Sequence, residues 1–207
     1  MLQTNTVKNF TLVLLKEIQQ LPLLKELRLV GGTALALQLG HRNSIDLDFF
    51  GKIDANHETI VVELNKLGHK VSSMQDSKII HQFLVGKIKI DIVNYPYEWI
   101  DNSIEEDGVK MASLKDIAAM KLSAITNRGT KKDFIDIYTL LKHFTLKEMF
   151  TFYEEKYKDG SIFNVIRSLS YFEDAEENPM PKMFAKTDWK AVKAVIQKAV
   201  KDELRKA

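Results

Sequence analysis

Apolar positions along the chain change period twice. Val7, Phe10, Leu14, Leu15 and Ile18 recur at helical spacing between Thr4 and Gln20, and Pro22 breaks the run before a short apolar segment, Leu23 to Leu27. Leu27, Leu29 and Val30 then close an apolar strand that runs into Gly31-Gly32, and the Ala/Leu-rich Thr33 to Leu39 reads as a short helix. Ser44 to Phe50 alternates with period two, Ile45, Leu47 and Phe49 on one face and Asp46 and Asp48 on the other. Asn56 to Leu67 returns to helical spacing and stops at Gly68. His69 to Met74, Ile79 to Val85 and Ile88 to Val93 read as strands, the last two joined tightly at Gly86-Lys87. Asn94 to Gly108, with Pro96 and an acidic run from Asp101 to Asp107, reads as a connection. Beyond it every periodic segment is helical: from a capping-box start at Ser113, from Thr130, Thr145 to Tyr157, Ile162 to Leu169 and Asp188 to Leu204. The pattern predicts an α+β region over residues 1–108 followed by a helical domain over 109–207.

Composition changes this picture little. The 207 residues are 45% hydrophobic and 28% charged, and formal net charge is +2, so nucleic-acid contact needs a local basic patch rather than a global field. Such a patch is available on the polar side of the last helix, at Lys186, Lys190, Lys193, Lys198, Lys201, Arg205 and Lys206, although a lysine-rich face also serves solubility. The absence of cysteine excludes disulfides and thiolate metal sites and fits a reducing compartment. There is no leader pattern and no apolar run of the ~20 residues a membrane helix needs, which predicts a soluble cytoplasmic protein without membrane contact.

Chemistry enters at Leu29 to Gly51. Asp46 and Asp48 stand at i and i+2 on a strand, where like charges repel unless a cation lies between them. Hard oxygen donors on a rigid element suit Mg2+, which takes one or two carboxylates together with substrate phosphates. Gly31 and Gly32 let backbone approach a phosphate at a helix N-terminus, and Thr33 adds a hydroxyl. Arg42 can meet a carboxylate or a phosphate. No P-loop ending follows the glycines, no nucleophile elbow or triad is present, and the five histidines show no zinc-type spacing.

Gly-Gly-Thr followed by Asp-x-Asp resembles the polymerase-β-type nucleotidyltransferase signature. The intervening G-H-R-N-S-I-D-L-D-F-F, with Arg42 and Ser44, resembles that of the AbiEii/AbiGii-type nucleotidyltransferase toxins. A second block, K-L-S-A-x-x-x-R-x-x-K-K-D-x-x-D, matches the same family at Lys121, Arg128, Lys131, Lys132, Asp133 and Asp136. The resemblance implies a polymerase-β-like domain with a mixed sheet flanked by helices, then a helical domain contributing basic residues. It implies a third carboxylate, Asp91, on a strand next to the Asp-x-Asp strand. It implies two Mg2+ ions on Asp46, Asp48 and Asp91, an NTP held at Gly31, Gly32, Thr33, Arg42, Ser44 and Arg128, and Lys121 against the triphosphate. Asp133 or Asp136 orients that lysine, Asp133 being preferred. Activity is expected to be transfer of an NMP to an acceptor hydroxyl, a tRNA end in a toxin paired with an antitoxin. A small-molecule acceptor, or an inactive nucleotide- or partner-binding module of the same fold, is the alternative.

Overall fold

A computed structural model describes residues 1–205; Lys206, counted above with the basic face, lies outside them. The chain divides into two compact units. The first takes Met1–Tyr97 and Asn102–Ala112, the second Glu98–Asp101 and the chain from Ser113 onward.

The first unit is built on a seven-stranded mixed sheet. Its strands are β1 (Arg28–Leu29), β2 (Leu47–Gly51), β3 (Val71–Asp76), β4 (Ile80–Val85), β5 (Ile88–Asn94), β6 (Ile104–Glu106) and β7 (Val109–Met111). They lie in the order β3-β4-β5-β2-β1-β7-β6. β2 runs antiparallel to β1 and parallel to β5. The alternation read from the sequence is the alternation of burial: Leu47, Phe49, Phe83, Val85, Ile88, Ile90 and Ile92 are buried on one face, whereas Asp48, Gln82, Lys89 and Asp91 are half-buried on the other. Three helices belong to this unit, α1 (Asn9–Gln20), α2 (Gly31–Leu39) and α3 (His57–Asn65). Leu14, Leu15, Ile18, Leu35, Leu37, Ile60 and Leu64 bury fully or nearly so and complete the core. Burying each such side chain contributes about 1.5–3 kcal/mol before conformational entropy is subtracted.

Two strands fall where the sequence suggested a connection and the start of the helical region. β6 and β7 form a hairpin whose turn is Asp107-Gly108, with φ of 51° and 76°. Left-handed backbone at both central residues marks the turn type that matches strand twist. β7 then pairs in parallel with β1, and Ala112 N donates to Leu29 O at 2.9 Å. Ile45, which the alternation sets on the face of Leu47 and Phe49, is 49% exposed, because β2 starts only at Leu47.

The second unit contains α4 (Leu114–Asn127), α5 (Lys131–Leu140), α6 (Leu146–Lys156), α7 (Ile162–Leu169), the single turn α8 (Glu173–Glu176) and α9 (Trp189–Leu204). Ser113 caps α4 by accepting from Asp116 N. The Asp116 carboxylate does more than close a cap. It accepts from Ile100 N (2.9 Å), Asp101 N (3.2 Å) and Ser113 Oγ (2.7 Å), and pairs with Lys156 Nζ at 2.7 Å. Both side chains of that pair are fully buried. These bonds hold the short piece Glu98–Asp101 to the helical unit. Among the described residues no helix is long and apolar enough to cross a membrane.

Candidate active site

In the first unit the parallel pairing of β2 with β5 sets Asp48 directly opposite Asp91. Period-two side-chain direction puts both carboxylates on the half-buried face. Asp46 is exposed and stands one residue before β2. Its main-chain carbonyl accepts from Thr33 Oγ1, which also shares a 2.8 Å hydrogen bond with Ser44 Oγ. The Thr33 hydroxyl thus ties the first turn of α2 to the chain entering β2.

The two glycines open α2 and are its first two residues. Gly31 has φ of 68°, and a Cβ placed on it would lie 2.3 Å from Asp48 Oδ2. A Cβ on Gly32 would lie 2.3 Å from Arg42 Nη2 and 3.3 Å from Ser44 Oγ. The diglycine leaves room for the protein's own polar groups: one glycine admits the carboxylate of Asp48, the next the guanidinium of Arg42. Arg42 is 3% exposed and donates from Nη1 to Asn43 O at 2.9 Å. The N-terminal end of α2, where the helix dipole is positive, meets the Asp48 carboxylate at Gly31 and the buried Arg42 guanidinium at Gly32.

Asp91 is divided between two roles. Its Oδ2 takes a 2.7 Å ion pair from Lys89, two residues back on the same face. Its Oδ1 is buried and receives no hydrogen bond. A buried carboxylate oxygen without a donor is costly unless a cation satisfies it. Hard oxygen donors from Asp48 and Asp91, with Asp46 beside them, form a set that fits Mg2+.

The second matching block lies wholly in the helical unit. Lys121, 4% exposed, contacts Asp133 Oδ1 at 3.1 Å and Asp136 Oδ2 at 2.7 Å. Arg128 donates to Asp133 from Nε (2.9 Å) and Nη2 (3.1 Å), and Thr130 Oγ1 donates at 2.6 Å. The Asp133 carboxylate thus receives four bonds, its full capacity. Burial alone raises its pKa, but the Lys121 charge, then the Arg128 and Thr130 bonds, outweigh that and hold it well below the usual carboxylate range. The network buries Lys121, whereas the Arg128 side chain stays 63% exposed. Arg128 also borders a polar cleft of about 850 Å3 in the same unit, with Arg167, Ser161, Asn164 and Ser168 on its walls.

The structure thus joins Gly31, Gly32, Thr33, Arg42, Ser44, Asp48 and Asp91 with the main chain of Asp46 in one neighbourhood of the first unit. It joins Lys121, Arg128, Asp133 and Asp136 in another, in the second. Sequence reasoning missed Lys89, whose signal was its place at i−2 from Asp91, and Thr130 as a ligand of Asp133.

Comparison with known proteins identifies the family and the fold. Residues 13–206 match the family described as nucleotidyl transferase AbiEii toxin, type IV toxin–antitoxin system. An uncharacterised protein of Aquifex aeolicus (strain VF5) is 34% identical over 196 residues, which is 92% of this chain and 94% of that protein. Among solved structures, JHP933 of Helicobacter pylori superposes with a TM-score of 0.61 at 17% identity, covering 97% of this chain and 95% of its own. MenT4, a nucleotidyltransferase toxin of Mycobacterium tuberculosis H37Rv, gives 0.54 at 15% identity, covering 93% and 84%. At those identities the structural likeness is one of fold. The family match extends over nearly the whole sequence, and the chain belongs to the AbiEii nucleotidyltransferase toxin family.

Proposed function

We propose that this nucleotidyltransferase moves an NMP from an NTP to a hydroxyl at an RNA end, of tRNA class, and acts as the toxin partner of a cognate antitoxin in the cytoplasm. The observation that carries the reading is the Asp48–Asp91 pair, with Asp48 seated against Gly31 and Asp91 Oδ1 buried and without a donor.

The residues divide the work by position. Gly31, Gly32 and Ser44 offer close backbone and hydroxyl contacts to the β- and γ-phosphates at the start of α2, Thr33 holds Ser44 and the Asp46 carbonyl in place, and Arg42 supplies fixed positive charge. Asp46, Asp48 and Asp91 would hold Mg2+, which when bound neutralises the carboxylates and polarises the phosphate oxygens. The acceptor oxygen bonds to the α-phosphorus as the bond to pyrophosphate breaks. The hydroxyl proton passes to a carboxylate of the site, Asp91 by its place. In the helical unit, Asp133 and Asp136 fix Lys121, and Asp133 fixes Arg128. Lys121 and Arg128 are that unit's cations for phosphate.

Each α-labelled NTP is incubated in turn with the protein, Mg2+ and either total RNA or an RNA-free pool of small cellular molecules. Label entering RNA supports the reading. Label entering only small molecules, or nucleotide binding with no transfer, overturns the RNA acceptor or the catalytic role respectively.

A further inference from the structure

We propose a second cation site, of Zn2+ class, formed by His57, Asp76 and His81 on the sheet face opposite the Asp48–Asp91 pair.

Strand register establishes the placement. His81 in β4 pairs with Ile92, on the buried apolar face, whereas its neighbour Gln82 pairs with Asp91 on the other. His57 opens α3 and its ring stacks on Phe83, a residue of that same buried face, at 4.7 Å and 23°. The third group comes from β3, which carries a bulge between Ser73 and Gln75. Ser73 lies opposite Phe83, so its side chain leaves on the apolar side. Without the extra residue, Asp76 three positions on would leave on the reverse side. With it, Asp76 lies opposite His81, and both Ser73 and Asp76 turn toward His57.

The donor geometry suits a cation. The candidate ligand atoms of the three residues all lie within 4.8 Å of one another. His57 Nε2 is 2.8 Å from Ser73 Oγ, while its Nδ1 is buried and makes no hydrogen bond. A hydroxyl accepting from Nε2–H leaves Nδ1 with a lone pair directed into the cluster, the outer contact that orients an imidazole for a metal. Asp76 Oδ1 stands 3.4 Å from that nitrogen and 2.8 Å from His81 Nδ1. Donors at about 2.0–2.2 Å from a tetrahedral ion stand roughly 3.3–3.5 Å apart, so the first separation already fits and the second opens slightly as metal replaces the shared proton. Two imidazoles and one carboxylate select a borderline ion over Mg2+. The two histidine side chains are 11% and 6% exposed and Asp76 54%, so the ion enters past the carboxylate. Once bound it fastens the exposed edge strand β3 to the start of α3.

The test is equilibrium dialysis of the full chain against Zn2+ with Mg2+ in millimolar excess, read with Co2+ absorption and thermal unfolding. One saturable Zn2+ per chain is expected, with a tetrahedral-type Co2+ visible band and a higher unfolding midpoint. Asp76→Asn and His57→Gln should each weaken uptake at least tenfold, and Ser73→Ala about tenfold, while Asp48→Asn leaves it unchanged. Asp76 is exposed, so its variant separates lost binding from lost folding. Absence of saturable uptake, uptake unchanged in Asp76→Asn and His57→Gln, or loss of uptake in Asp48→Asn would overturn the site.

Discussion

Asp48 occupies the space that a side chain on Gly31 would need: its Oδ2 lies 2.3 Å from the position of that absent Cβ. The glycine is thus part of the carboxylate's mounting. Gly31→Ala places an L side chain at φ of 68°. The backbone cost is about 1–2 kcal/mol, and the Asp48 carboxylate must move. Nucleotidyl transfer should fall by at least about a hundredfold, roughly 2.7 kcal/mol of barrier, while chemical denaturation shows only the modest backbone loss.

Lys89 neutralises Asp91 in the structure at 2.7 Å, with 37% of its side chain exposed. It competes with a divalent ion for the same carboxylate. Lys89→Gln is expected to tighten Mg2+ binding by a few-fold at low salt, in keeping with the ~0.2–1 kcal/mol of a partly exposed pair. Calorimetric titration at two ionic strengths checks this, and the difference should shrink as salt rises.

The Lys121–Asp133–Arg128 network makes a stability prediction. Asp133→Ala leaves Lys121 with one carboxylate fewer in a buried setting and should cost about 3–5 kcal/mol. The pH dependence has a definite sign. The Asp133 pKa is lowered on folding from its ordinary 3.8, so its contribution is fully present above pH ~4 and is lost as pH falls through the lower folded-state value. Wild-type stability should therefore decline on acidification below pH ~4 more steeply than that of Asp133→Asn. Urea midpoints measured from pH 7 down to pH 2.5 test this.

Asp116 and Lys156 form a fully buried pair, and the aspartate also anchors Ile100 and Asp101. Asp116→Ala should cost about 3–5 kcal/mol, and amide exchange at Ile100 and Asp101 should accelerate. Asp116→Ala combined with Lys156→Met should recover much of that loss, because no buried charge is left alone.

Much of this was legible in the chain. Alternation placed Asp48 and Asp91 on one face of their strands, and Ser113 marked the start of α4. What escaped depended on contacts between distant positions or on very short elements. β6 and β7 have three residues each, too few to show a period, although Asp107-Gly108 is the strongest short hairpin signal. Of the capping box read at Ser113, the structure shows the Ser113 half, whereas the Asp116 carboxylate turns to the Ser113 hydroxyl and to Lys156, 40 positions away. Histidine spacing gave no hint of the His57–Asp76–His81 cluster, because a bulge and strand register bring it together. The packing of Arg42 against Gly32 likewise joins positions ten apart, which no local pattern shows.

The most direct test of the central claim is transfer of α-phosphate label from NTP, in the presence of Mg2+ and RNA, by the native protein and by Asp48→Asn and Asp91→Asn, with urea midpoints measured in parallel. Both variants should keep a native-like midpoint and lose transfer by at least about a hundredfold. Full transfer by either folded variant would contradict the assignment of chemistry to the Asp48–Asp91 pair.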